Sequence, residues 1–155
     1  MISRKSIRSI AIKAAAAALA VVLLMTAQTA ATKVNASTSS QQQVSCSCVL
    51  YVRSRVPSLP GGPQFAKDYT QSKMSTFGFK KVNPTAGAIL VWDANQKGAG
   101  SMGHIALIRS ASYDTKTKKW IITVDQANWG TACSITTNSK FTWGDLYGVN
   151  AYVRR

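Results

Sequence analysis

The chain predicts an α+β domain in which N-terminal helices pack on an antiparallel sheet. A helical apolar repeat comes first, since Val49, Val52 and Val56 follow Cys48 at helical spacing and Pro57 ends the pattern. Short apolar runs at 87–92, 104–108 and 120–125 come after it, separated by glycine-rich or polar turns. Helices followed by strands joined through tight turns give separate α and β layers, not a parallel α/β sheet.

Arg4, Lys5, Arg8 and Lys13 make a basic start, Ala14 to Met25 is an uncharged run of twelve residues, and small residues follow at Ala30, Ala31 and Ala36. That order is the pattern of a secretory signal peptide over 1–36, with cleavage after Ala36 or, as the nearest competitor, after Ala31. Twelve residues are too few to cross a bilayer, so no stable membrane anchor is expected once the signal is removed. The mature protein is expected to be secreted. Residues 37–45 are polar, without periodicity, and read as a leader, which leaves 46–155 as one domain.

Cys48 stands at the start of the first helix, where free backbone N–H groups and the dipole favour an anion. Pro60-Gly61-Gly62-Pro63 is a turn, and Pro63 is placed to begin a second helix with Phe65, Ala66 and Tyr69 on one face. Strands at 87–92, 104–108 and 120–125 follow. The polar turn at 113–119 makes the last two a hairpin, and 151–153 is a final strand that could close the sheet.

The whole chain carries 19 Lys and Arg against five acidic residues, all Asp. Without the first 36 residues, which hold five basic side chains and no acid, 14 basic residues face five Asp, a net charge of +9. Such a surface favours anionic partners, and bacterial wall polymers, acidic lipid headgroups or nucleic acid would all satisfy it; the charge alone does not choose among them. Lys67, Lys73, Lys80, Lys81, Lys97 and Arg109 are scattered without interleaved aromatics, so nucleic acid is not expected as a partner. Trp92, Trp129, Trp143 and Tyr152 read as core or groove walls, with Trp129 able to shield a site beside it.

His104 is the only histidine and lies in Gly103-His104-Ile105-Ala106. With Cys48 it forms the pair a thiol hydrolase needs, because a thiol protonated near neutral pH requires a base to become a nucleophile. One His and three Cys at these spacings make no recognised metal set, and no cofactor is implied.

Four segments carry a family resemblance. Cys48, Tyr51, Val52 and Arg55 reproduce a Cys-x-x-Tyr-Val-x-x-Arg helix, and Pro84 with Gly87-Ala88-Ile89 and Val91-Trp92 a Pro-x-x-Gly-Ala-Ile strand. Gly103-His104-Ile105-Ala106 matches a Gly-His-Val-Ala segment, and Gln126-Ala127-Asn128-Trp129 falls where Glu-x-Asn and an aromatic are found. From Cys48 to about Val153 the chain resembles the CHAP domain, the cysteine, histidine-dependent amidohydrolase/peptidase. NlpC/P60 peptidases, which share the chemistry, begin their helix with Asp-Cys-Ser, and Ser47-Cys48-Val49 departs from that. The resemblance implies a papain-like fold. It also implies cleavage of peptidoglycan amides, either between muramic acid and L-alanine or within stems and cross-bridges, by attack of Cys48 with His104 as base.

The third member departs from the family pattern, because Gln126 stands where glutamate is usual. Asp125 is the nearest carboxylate, but strand alternation puts Gln126 and Asn128 on one face and Asp125 on the other if the strand runs on through Ala127. Asn128 is therefore the expected orienter of His104, with Gln126 in support; the competing reading of Asn128 is a strand-end turn residue. Cys46 competes with Cys48 as nucleophile, but only Cys48 has the tyrosine and arginine at the matching positions. In an oxidising compartment Cys46 pairs either with Cys133, leaving Cys48 free, or with Cys48, blocking it.

The expected function is a secreted, monomeric peptidoglycan hydrolase. Its alternative is a non-catalytic basic wall-binding module on the same fold, which the change from Glu to Gln would favour.

Overall fold

The computed structural model describes residues 40–155, so the expected signal segment at 1–36 lies outside the described residues. The compact unit Gln42–Arg155 holds every element below. Residues 42–45 are helical, not irregular as the leader's composition suggests. Gln42 O accepts from Cys46 N and Ser45 Oγ, and Val44 packs against the core.

Helix α1 is Cys48–Arg55. Ser47 is extended, and its Oγ accepts from Leu50 N at 3.2 Å, which satisfies one of the free N–H groups of the first turn. Arg53 and Arg55 complement the dipole in the last turn. Val49, Tyr51 and Val52 are buried against the sheet.

The second helix expected from Pro63 does not form there. Phe65 is extended, one 3₁₀ turn follows at Ala66–Asp68, and Lys67 N donates across to Met102 O at 3.0 Å. Helix α2 starts later, at Gln71–Thr76, because the Thr70 hydroxyl caps Lys73 N. The apolar spacing of Phe65, Ala66 and Tyr69 thus belongs to a turn pinned to the loop before His104.

Six strands form one antiparallel sheet: β1 Phe79–Val82, β2 Ile89–Trp92, β3 His104–Asp114, β4 Lys119–Ala127, β5 Ile135–Trp143 and β6 Val149–Arg154. Their order is β1-β6-β2-β3-β4-β5. The last strand therefore lies inside the sheet, and β1 and β5, not anticipated from the sequence, are its edges. The β3–β4 hairpin turns where Asp114 Oδ1 accepts from Lys116 N and Lys118 adopts a φ of 56°.

Strand β2 is buried on both faces, which is why it reads as an unbroken apolar run. Ile89 and Val91 join Val52, Met74 and Tyr152 beneath the helices. Leu90 and Trp92 join Ile108, Ile122 and Val124 on the other face, where Phe141 and Trp143 cover them. The α+β class with helices packed on one side of an antiparallel sheet is the one the sequence predicts.

Candidate active site

Helix α1 presents Cys48 from its first residue, and strand β3 presents His104 from its first residue. Both line one cleft of about 340 Å³, whose walls include Ser47, Gln64, Phe65, Met102 and Asn128. A second cleft of about 300 Å³ shares Gly103, His104 and Asn128 and is otherwise lined by Gly98, Gly100, Trp129 and Gly130. The imidazole stands between the two.

Gly103 sets the entry of β3. Its φ is +70°, and a Cβ would lie 2.6 Å from Trp92 O and 2.8 Å from Lys67 N, so only glycine fits before His104. The His104 ring is then enclosed by aromatics, with Trp129 at 4.5 Å and Trp92 at 5.1 Å between ring centroids. His104 is 3% exposed.

Gln126 holds the imidazole. Its Oε1 accepts from His104 Nε2–H at 2.9 Å, which leaves Nδ1 with its lone pair. Gln126 is itself buried, near the end of β4. Asn128, the expected orienter, makes no such contact. β4 ends at Ala127, and Asn128 adopts a φ of 57°, so the alternation that would have placed it beside Gln126 stops one residue short. Asn128 lines both clefts, but its Oδ1 accepts from Cys133 N at 3.1 Å and closes the β4–β5 turn. The orienting contact thus falls to the residue read as its support.

Cys46 and Cys133 are disulfide-bonded, and Cys48 is the free thiol. The bridge joins the residue just before the Ser47 cap to the turn that carries Asn128 and Trp129. Cys48 is thereby left available.

Residues 37–128 match the profile of the CHAP domain. The chain belongs to the CHAP family. A solved structure of N-acetylmuramoyl-L-alanine amidase from Staphylococcus aureus has a TM-score of 0.50 to this CHAP domain at 17% identity, covering 71% of this chain and 31% of that one. The likeness is one of fold, and this chain spans less than a third of that amidase's length. Comparison with curated proteins gives no sequence match.

Burial sets the charge state of the CHAP site. It pushes the Cys48 thiol above its ordinary range, against the opposing backbone N–H groups of Ile105, Val49 and Cys48 itself. It pushes His104 down to about 4, with the Gln126 hydrogen bond opposing. An amide supplies no negative charge to offset the desolvation, so both shifts favour the neutral forms of the pair. Asp125, adjacent to Gln126 in β4, turns to the opposite face and pairs with Arg109.

Sequence reading had not singled out Gln64, Phe65 and Met102 as cleft walls, nor the contact of Trp92 with His104. Phe65 and Met102 carry a signal only in hindsight of the fold: they are two of the few large apolar side chains left exposed. Among the described residues no helix is long and apolar enough to cross a membrane, and no group of three or more His, Cys, Asp or Glu is placed to hold a metal.

Proposed function

We propose that this CHAP domain is a secreted peptidoglycan hydrolase that cleaves amide bonds through Cys48. The observation that carries the reading is the shared cleft: a free thiol at a helix N-terminus and a buried imidazole, oriented through Nε2, line the same 340 Å³ space. Nδ1 takes the thiol proton as sulfur attacks the carbonyl, so the ion pair forms during the reaction and need not exist beforehand. In this scheme the N–H groups of Cys48 and Val49 at the start of α1 receive the developing oxyanion. The imidazolium then protonates the leaving amine, and a water activated by neutral His104 hydrolyses the thioester.

Gln126 takes the part of orienter in this scheme, with Asn128 shaping the turn beneath it. The substrate is the amide between muramic acid and L-alanine or one within the peptide stems and cross-bridges. The basic surface, +9 over residues 37–155, supplies attraction to anionic wall polymers. The protein acts as a monomer, without metal or cofactor.

The test is release of soluble fragments from purified wall by the native protein and by Cys48→Ala, with mass spectrometry of the products. Fragments from the native protein alone support the hydrolase, and their new termini identify the bond. Wall binding with no fragments from either would instead establish the non-catalytic module, which the uncharged Gln126 favours.

A further inference from the structure

We infer that Asp125 is a positioning residue for the hydrolase proposed above, acting through Gln126 by clamping two strand irregularities that fix which face Gln126 presents to His104. The inference rests on that functional reading for its kinetic consequences. Its geometry stands separately.

Asp125 is 2% exposed and is the only carboxylate among the buried residues described. A buried carboxylate must be satisfied, and this one is satisfied from both neighbouring strands. On the β3 side, Ile108 pairs with Val124 and Ser110 with Thr123, so Arg109 is an extra residue in β3; its Nε–H donates to Asp125 Oδ2 at 2.5 Å. On the β5 side, Val124 pairs with Ser139 and Gln126 with Thr136, so two β5 residues stand opposite Asp125 alone. One of them, Asn138, has a φ of 58°, and its N–H donates to Asp125 Oδ1 at 3.1 Å. The two carboxylate oxygens thus each hold one bulge.

The consequence lies one residue further on. Side chains alternate with a period of two, so a slip of β4 by one residue would turn Gln126 away from His104 and bring a neighbour in its place. A bulge re-aims the side chains beside it and pins the register of the strands it joins. Asp125 anchors both immediately before Gln126, and Gln126 Oε1 then meets Nε2 at 2.9 Å. A carboxylate on the opposite face of the strand thereby sets the imidazole without touching it.

The test uses the full chain labelled with nitrogen-15, where the single histidine gives one Nε2–H resonance. In Asp125→Ala the resonance is expected to exchange with water at least tenfold faster than in the native protein. Arg109→Ala, at a side chain that is 60% exposed, removes one arm of the clamp; it is expected to show a smaller increase and serves where Asp125→Ala does not fold. On the wall substrate, Asp125→Asn is expected to lower kcat about tenfold with KM unchanged, and to have no further effect in a Gln126→Ala background. Unchanged exchange in Arg109→Ala and Asp125→Asn, or effects of Asp125→Asn and Gln126→Ala on kcat that simply multiply, would overturn the inference. A native protein without wall activity would sink the functional reading, while the exchange comparison would still decide the clamp.

Discussion

His104 Nε2 donates to Gln126 Oε1 at 2.9 Å, and both residues are buried. The amide orients the ring but contributes a dipole where a carboxylate would contribute a charge. Burial therefore outweighs the opposing Gln126 hydrogen bond and brings His104 down to about 4. Gln126→Glu is predicted to raise that value by a unit or more, each unit being about 1.4 kcal/mol of added preference for the imidazolium, and to raise kcat. Gln126→Leu is predicted to lower kcat about 100-fold by leaving the N–H unpaired and the ring unoriented. NMR titration of the single histidine, alongside wall-hydrolysis rates, measures both; an unchanged histidine pKa in Gln126→Glu would count against the contact.

The same burial makes stability depend on pH. The folded His104 resists a proton that the unfolded chain accepts near 6.5, so the unfolded state binds more protons between 6.5 and about 4. Stability is full above 6.5, falls as pH drops through that window, and levels off for this group below about 4. The loss attributable to His104 is roughly 3 kcal/mol. Urea unfolding at a series of pH values should show it, and His104→Gln should flatten that part of the curve.

Gly103 fixes where the imidazole begins. Gly103→Ala would press a methyl against Trp92 O and Lys67 N at a φ of +70°. A loss of about 1–3 kcal/mol is predicted, with a fall in activity larger than the fall in folded fraction, since His104 is the next residue. Thermal unfolding and wall hydrolysis on the same samples separate the two effects.

The disulfide between Cys46 and Cys133 spans 87 residues of sequence. Closing so long a loop restricts the unfolded chain, and replacing both cysteines by serine is predicted to cost about 4 kcal/mol in denaturant unfolding. The native chain is predicted to hold one alkylatable thiol, Cys48. Alkylation at Cys133 of the unreduced protein would contradict the pairing.

How much of this was legible in the sequence follows from local physics. The spacing of Val49, Val52 and Val56 and the stop at Pro57 are short-range signals, so the helix that presents Cys48 was readable. Strand β2, buried on both faces, was equally plain. Strand β5 was not, because most of its residues are exposed and it has no apolar alternation to announce it. The choice between Gln126 and Asn128 turned on whether the strand continued past Ala127. It ends there because Asn128 enters a left-handed conformation and its Oδ1 accepts from Cys133 N across the β4–β5 turn. The interrupted helix after Pro63 has the same origin, a long-range bond from Lys67 N to Met102 O that spacing does not reveal.

Cys48 is the proposed nucleophile. The most direct measurement is the appearance of new free amino groups from purified peptidoglycan, followed with equal amounts of native protein and Cys48→Ala after both are shown to be folded. Steady release by the native protein and none above background by Cys48→Ala is the expected result; equal release by the two would rule out Cys48 as nucleophile.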